Sequence, residues 1–292
     1  QRKYLLLTGA LVFTLAVNGF YFLFAEEGGK ANTQLVLGVG YKLLTTNSCD
    51  TLATETRDDS WWRYDAAQST VNSVPPINRI RNNSLTLGVQ GIDFYNSVYN
   101  NGIDRFHTEL AVAGDNINFS YLNLQGRSDL MALLGVKYYA MRIDGTDAAP
   151  VLFSDAEVAV ERPVVNVNYQ LLRANKSLPI GYVFDQAISH EDYLSLTPEG
   201  RQQALLQAVV LEDPAQSNVD TGATLVTTGD LSFENQDVPF SISSADGVAV
   251  GDGVIDVQRA GATLTLEVEG TANAETYFYT SGLTYRSKQP SE

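Results

Sequence analysis

The longest hydrophobic run of the chain covers residues 4–25, "YLLLTGALVFTLAVNGFYFLFA", and contains no charged side chain. At about 1.5 Å of rise per residue, a helix of this length spans roughly 30 Å, which is the thickness of the hydrocarbon core of a bilayer. We therefore predict a transmembrane helix within residues 1–27. Two basic residues precede the run and two glutamates follow it, which favours a cytoplasmic N-terminal end and places residues after about 26 outside the cytoplasm.

Two other interpretations of this run remain open, a cleaved export signal and a buried core helix. An export signal has an apolar region of about 7–15 residues and a cleavage site of small residues. Here Leu23 and Phe24 place bulky side chains where cleavage requires small ones. The chain begins with Gln1 rather than Met, so we expect it to be cut from a longer protein in which this helix packs against other spanning helices.

Residues 28–213 alternate between strand-like and helix-like patterns, which predicts a mixed α/β domain. The predicted strands are "SWWRYDAA" (60–67), "VKYYAMRI" (136–143), a pair in "EVAVERPVVNVNYQLLR" (157–173) interrupted at Pro163, and "LPIGYVFDQAI" (178–188). A short helix with Ser128 as its N-cap should end at Gly135. A longer helix should begin at Thr197 and Pro198 and continue to about Leu211.

Residues 214–292 show a different pattern, with short alternating strands separated by roughly eight to twelve residues. Asp252-Gly253 and Ala260-Gly261 predict tight turns between these strands. "GDGVID" fits a hairpin turn better than a calcium loop, because it lacks the ligand spacing of known loops. We predict a jelly-roll-like antiparallel β-sandwich here, so the whole chain is of the α+β class with one N-terminal transmembrane helix.

Composition and charge exclude several classes of partner and site. The net charge of −15 argues against nucleic acid and against an anionic membrane surface, and a polyanionic polymer would need a local basic patch. A single cysteine, Cys49, excludes an internal disulfide framework. His107 and His190 stand too far apart for a local metal motif, so we predict no metal site.

No catalytic motif is visible, and the best candidate chemistry is binding by aromatic and amide side chains. Aromatic rings stack on sugars, planar amides and hydroxyls bond to their hydroxyl groups, and an arginine suits a phosphate. Ordinary strand composition is the alternative explanation of the aromatic residues and the one that the sequence favours, and Arg63 alternatively pairs with Asp65. The predicted binding residues are Trp62, Arg63, Tyr95, Asn96, Ser97, Tyr99 and Asn100.

Several of these stretches, in order, resemble the extracytoplasmic part of the bacterial membrane protein family YfhO. The resemblance covers about residues 55–286 and is carried by "WWRYD", "VQGIDFYNSVYNNGIDRF", "LMALLGVKYYA", "LPIGYVFDQAI" and "ETYFYTSGLTY". Arg63 falls on the recurrent arginine of the first segment, and Gly91, Ser97 and Asn100 fall on the second. The many spanning helices of the family, and the acidic residues of its first outer loop, have no counterpart in this sequence.

The resemblance implies a polytopic protein similar to membrane glycosyltransferases that use polyprenyl-phosphate sugars and glycosylate lipoteichoic acid. On that basis we expect an extracytoplasmic domain that helps to position acceptor or donor, with catalysis outside these residues and no cofactor of its own. The expected partners are the bilayer, the remaining spanning helices, a lipid-linked sugar donor and a cell-envelope glycopolymer. The alternative is a carbohydrate-binding or adhesion module on a single membrane anchor, without catalysis.

Overall fold

A computed structural model describes residues 8–9, 11–15, 17, 48–67, 82–95, 100–112, 120–121, 123–164, 166–213, 222–234, 237–272, 274–278 and 282. Residues 8–9, 11–15 and 17 are helical. Among the described residues, no helix combines the length and the apolar character needed to cross a bilayer. The predicted transmembrane helix over residues 4–25 lies largely outside the described residues and therefore stays a prediction.

From residue 48 onward, the described residues form thirteen strands, five α-helices and three 3₁₀ turns. The strands are β1 (Arg63–Ala66), β2 (Phe94–Tyr95), β3 (Ser120–Tyr121), β4 (Val136–Arg142), β5 (Glu157–Val164), β6 (Val167–Arg173), β7 (Gln186–Ser189), β8 (Val209–Leu211), β9 (Thr224–Val226), β10 (Phe240–Asp246), β11 (Val248–Gly251), β12 (Val254–Val257) and β13 (Thr263–Val268). The helices are α1 (Asn83–Thr86), α2 (Asn101–Glu109), α3 (Ser128–Leu133), α4 (His190–Ser195) and α5 (Pro198–Leu205). The 3₁₀ turns are Cys49–Glu55, Val151–Phe153 and Thr228–Asp230.

A four-stranded sheet in the order β1-β4-β6-β5 organises the first half of the described chain. β1 runs parallel to β4, while the β4–β6 and β6–β5 pairs are antiparallel. Strand β4 is buried on both faces, since Tyr139 and Met141 belong to one hydrophobic core and Tyr138 and Ala140 to another. A layer on each side of the sheet is the arrangement expected of a mixed α/β domain.

Each face of this sheet is covered by a different set of elements. On one face the apolar side of α3, with Leu130 and Met131 fully buried, packs against β4 and Phe153. On the other face the turn Cys49–Glu55 contributes Leu52 and packs on Tyr64 and Tyr169. The sheet therefore holds α3 against the strands that carry the predicted site.

A second sheet is parallel throughout, in the order β8-β7-β9, and has its own core with α4 and α5. Helix α5 begins as predicted, because the Thr197 hydroxyl accepts a hydrogen bond from the Gly200 amide. The prediction that this helix continues to about Leu211 is wrong, since it ends at Leu205 and Val209–Leu211 form β8. The β-branched Val209 and Val210 pair with β7 instead, as their strand preference favours.

Three other local predictions need correction. Arg127, rather than Ser128, is the N-cap residue of α3, and the Ser128 hydroxyl accepts from the Leu152 amide. Pro163 does not interrupt the strand pair, because it lies within β5, an edge strand where a missing amide is tolerated. Of residues 178–188 only the last three belong to a strand, β7, and the Pro- and Gly-containing first part is an exposed loop.

The C-terminal strands form two antiparallel pairs, β10 with β13 and β11 with β12. Asp252 and Gly253 turn between β11 and β12 with φ values of 51° and 74°, which confirms the predicted tight turn. All four β12 side chains are exposed, and β10 is exposed along its whole length. The antiparallel character is confirmed, while the packing of these pairs into a jelly-roll-like sandwich stays a prediction.

Candidate functional site

Arg63 opens β1 and lies against the C-terminal end of α3. Its amide donates to the Gly135 carbonyl at 3.0 Å, and its Nη1 donates to the Leu134 carbonyl at 2.9 Å. The Tyr182 hydroxyl donates to the Leu133 carbonyl at 3.1 Å. The last carbonyls of a helix carry partial negative charge, so this helix end suits a cation and a hydroxyl donor.

An exposed aromatic ring completes this surface. The guanidinium carbon of Arg63 lies 4.9 Å from the centroid of the Trp61 ring, in cation–π contact. Trp61 is 46% exposed and Tyr182 is 40% exposed, so both rings remain accessible. We call Trp61, Arg63 and Tyr182 the Arg63 face.

The positive charge of Arg63 has no carboxylate partner among the described residues. Partial burial lowers the pKa of Arg63, and the nearby Tyr182 hydroxyl acts in the opposite direction. Arginine nevertheless stays protonated at neutral pH. Within the described part of the chain, Nε and Nη2 of Arg63 donate to no other residue, which leaves two donors for an incoming group.

Other arginines of the same sheet are neutralised. Arg173 binds Glu157 at 2.5 Å, Arg162 binds Glu55 at 2.6 Å, and Arg142 pairs with Asp144. The predicted alternative pairing of Arg63 with Asp65 is not observed. The register shifts between Arg63 and Tyr64, which lie opposite Val136 and Tyr138, so the extra residue of this irregularity is Lys137 of β4. Asp65 is fully buried, and its Oδ1 accepts from the Ala66 amide.

Trp62, which we predicted as a binding residue, faces away from this surface. Its Nε1 donates to the Asp58 carbonyl at 3.3 Å, and its ring meets that of Tyr138 edge to face at 4.7 Å. Asp58 accepts from Lys137 and Tyr138 at 2.6 and 2.9 Å. Trp62 is therefore part of the packing, and Trp61 provides the accessible ring.

Of the remaining predicted residues, the structure describes Asn100 and the backbone of Tyr95. Gly91 forms an isolated parallel bridge with Tyr64, and Tyr95 pairs with Ser120 in the two-stranded β2–β3 sheet. Asn100 caps α2 by accepting from the Gly102 amide at 2.8 Å. Asn96, Ser97 and Tyr99 lie outside the described residues. The structure thus brings together Arg63 and two aromatic residues absent from the predicted set, Trp61 and Tyr182.

The structure contains a second polar cluster, around Arg105, which the sequence does not predict. Arg105 binds Glu109 at 3.1 Å, Glu212 at 2.7 Å and His190 at 2.8 Å. His190 and Glu212 directly follow β7 and β8, so this cluster joins α2 to the carboxyl edge of the parallel sheet. All three guanidinium nitrogens of Arg105 are engaged, which leaves it less able than Arg63 to bind a further anion.

Comparisons with known proteins identify the family of this chain. A family profile described as "Bacterial membrane protein YfhO" matches residues 1–291. A relative from Bacillus subtilis (strain 168), called "Uncharacterized protein YfhO", is 23% identical over 184 residues, which are 61% of this chain. The matched part is 21% of that relative, so the chain spans about a fifth of its length. No solved structure matches. The match over nearly its whole length shows that the chain belongs to the YfhO family of bacterial membrane proteins.

Proposed function

We propose that these residues form the extracytoplasmic part of a membrane glycosyltransferase-like protein and hold an anionic acceptor or donor at the Arg63 face. The observation that carries the proposal is Arg63 itself, a half-buried arginine with two free donors and no carboxylate partner among the described residues. Membership of a family of bacterial membrane proteins supports the membrane location in this proposal. Sugar transfer takes place in another part of the full-length protein.

The chemistry of the face suits a phosphorylated carbohydrate. A guanidinium binds phosphate oxygens through paired, charge-assisted hydrogen bonds. Trp61 and Tyr182 provide rings on which sugars stack, and both are accessible. A lipoteichoic acid acceptor and a polyprenyl-phosphate sugar donor both contain the required phosphate, and the face serves one of them.

The proposed arrangement places residues after about 26 outside the cytoplasm. The hydrophobic run over residues 4–25 spans the bilayer and packs against other spanning helices of the full-length protein. Asp58, which lies five positions before Arg63, is bound by Lys137, Ser60 and Tyr138, which suits a structural role rather than proton transfer.

Arginine substitutions in the full-length protein test this proposal. We expect Arg63→Ala to reduce polymer glycosylation about tenfold, since a hydrogen bond to a charged group contributes about 1.5–3 kcal/mol. Arg63→Lys should retain an intermediate activity, because it keeps the charge and loses the paired geometry. Arg173→Ala is the matched control, because Arg173 lies on the same sheet and is paired with Glu157.

Polymer glycosylation and the melting temperature are measured for each variant. The proposal holds if Arg63→Ala loses activity while its melting temperature stays within a few degrees of that of the parent. It fails if Arg63→Ala glycosylates normally, or if it loses activity only together with its folded structure.

The single-anchor binding module remains the second candidate, favoured by the two exposed rings of the Arg63 face, which require no catalytic partner to bind a sugar. The gene sequence upstream of the codon for Gln1 distinguishes the two. About ten or more hydrophobic segments there support the transferase, whereas a start codon within a few residues supports the single anchor.

A further inference from the structure

A loop beside the Arg63 face exposes a continuous apolar surface. Residues 178–184, "LPIGYVF", contain no charge, and Lys176 and Asp185 bracket them. We call these seven residues the apolar loop. Val183 is 97% exposed, Ile180 is 56% exposed and Leu178 is 42% exposed, so the aliphatic side chains of the loop are open to solvent.

The apolar loop is fixed at both ends rather than collapsed onto the domain. Before it, the side-chain Nδ2 of Asn175 donates to the Asp155 carbonyl at 2.5 Å. Near its end, the Tyr182 hydroxyl donates to the Leu133 carbonyl, and the Tyr182 and Phe184 rings meet at 5.3 Å and 85°. Pro179 restricts the backbone further. These contacts hold Ile180 and Val183 in solvent-accessible positions.

The side chains around the loop match the chemistry of a lipid interface. Tyr182 and Trp61 are amphipathic aromatic residues of the kind enriched where a membrane meets water. Arg63 lies against Trp61 and supplies a positive charge at the level of the rings. The apolar side chains of the loop suit the acyl chains of a bilayer, and the aromatic rings suit the boundary between acyl chains and headgroups. The guanidinium of Arg63 suits the lipid phosphates.

We propose that the apolar loop docks into the outer surface of the bilayer, with Ile180 and Val183 inserted between headgroups. The net charge of −15 repels most of this chain from an anionic surface, so docking requires a face that is locally uncharged or basic. The apolar loop with Arg63 is such a face. This proposal rests on the extracytoplasmic placement given under the proposed function, and it does not rest on sugar transfer.

Site-specific fluorescence in the full-length protein tests this docking. Val183→Cys is labelled with nitrobenzoxadiazole and the protein is reconstituted into phosphatidylcholine vesicles, with and without brominated acyl chains. The matched control is Val254→Cys, because Val254 is 62% exposed and lies in the β11–β12 hairpin. The unsubstituted protein serves as the blank, since its Cys49 is only 3% exposed.

We expect the label at position 183 to be quenched by brominated lipid about threefold more than the label at position 254, and to be shielded from aqueous iodide. Ile180→Asp, combined with the label at position 183, should lower the lipid quenching. Quenching by iodide alone, or equal lipid quenching at both positions, would show that the loop does not dock. Protection from both quenchers would overturn the proposal by showing that protein, such as the remaining spanning helices, covers the loop.

Discussion

Asp58 and Arg63 lie five positions apart, and their charges differ in the partners that the described residues provide. Asp58 accepts hydrogen bonds from Lys137, Tyr138 and Ser60, so its negative charge is satisfied within the domain. Among the described residues, the guanidinium of Arg63 contacts only the Leu134 carbonyl and the Trp61 ring. The first residue therefore contributes to stability, and the second is suited to bind a ligand.

The stability that Asp58 provides should depend on pH. Burial raises the pKa of Asp58, but the hydrogen bonds from Lys137, Ser60 and Tyr138 outweigh burial and hold it well below its usual value. Because the folded-state pKa lies below the unfolded value of about 3.9, the contribution is complete above that value and is lost as the pH falls through the folded-state pKa. We expect Asp58→Asn to lower the free energy of unfolding by about 1–3 kcal/mol at neutral pH.

Denaturant unfolding of the parent protein and of the Asp58→Asn variant, at neutral pH and at a pH of about 2–3, checks this expectation. The difference in the free energy of unfolding between parent and variant should be smaller at the lower pH. An equal difference at both pH values would show that Asp58 acts through packing rather than charge.

At the residue scale, the sequence predicts Arg63 as a binding residue but does not predict Trp61 and Tyr182 beside it. Arginine next to two tryptophans is visible in the sequence, and so is the choice between ligand binding and pairing with Asp65. The burial of Asp65 in this sheet depends on the pairing of β1 with β4, which is far away in the sequence. Tyr182 comes from a distant loop and reaches the site only because both it and Arg63 bind the end of α3.

At the scale of elements, α3 has different partners at its two ends. Its C-terminal carbonyls bind Arg63 and Tyr182, and the amide of Ser128 at its start donates to Glu275 at 2.9 Å. Arg127, only 7% exposed, adds bonds from Nε to Gln202 at 2.7 Å and from Nη1 to the Leu110 carbonyl at 2.6 Å. These contacts join α3 to α2, α5 and the C-terminal segment.

Removing the Arg127 guanidinium should destabilise this junction. Arg127→Met leaves the Gln202 amide oxygen and the Leu110 carbonyl without their buried donors, so we expect the free energy of unfolding to fall by about 2–4 kcal/mol. Arg259→Met is the matched control, because Arg259 is 52% exposed and its pair with Asp246 contributes less than about 1 kcal/mol. Denaturant unfolding measures both, and similar losses for the two variants would contradict a structural role for Arg127.

Elements set by local signals were predictable, and those set by distant pairing were not. Gly135 ends α3 in a left-handed conformation with φ of 68°, and Thr197 caps α5, as the sequence indicates. The end of α5 was misplaced because Val209 and Val210 gain a partner in β7 that sequence periodicity does not reveal. The loop over residues 178–184 has a strand-like composition, yet residues 178–183 are exposed and only Phe184 is half-buried.

At the scale of the whole molecule, stability is unevenly distributed. Strands β4 and β6 lie between two hydrophobic cores, whereas the side chains of β10 and β12 are exposed. Amide hydrogen exchange should therefore be slowest in β4 and β6 and fastest in the β11–β12 hairpin, because local opening costs least where few apolar groups are buried. Exchange followed by mass spectrometry of the full-length protein measures this order. Equal protection of both regions would mean that the C-terminal strands are covered, as the predicted sandwich requires.

The parallel pairing of β1 with β4 also sets a time for folding in the cell. Val136 follows Ala66 by about 70 residues, so at about 5–20 residues per second β1 waits roughly 4–14 seconds for its partner to be synthesised. During that interval Tyr64 and Ala66, which are fully buried in the finished protein, have no sheet to cover them. A cell that makes this protein must therefore protect the segment around β1 from aggregation until β4 emerges.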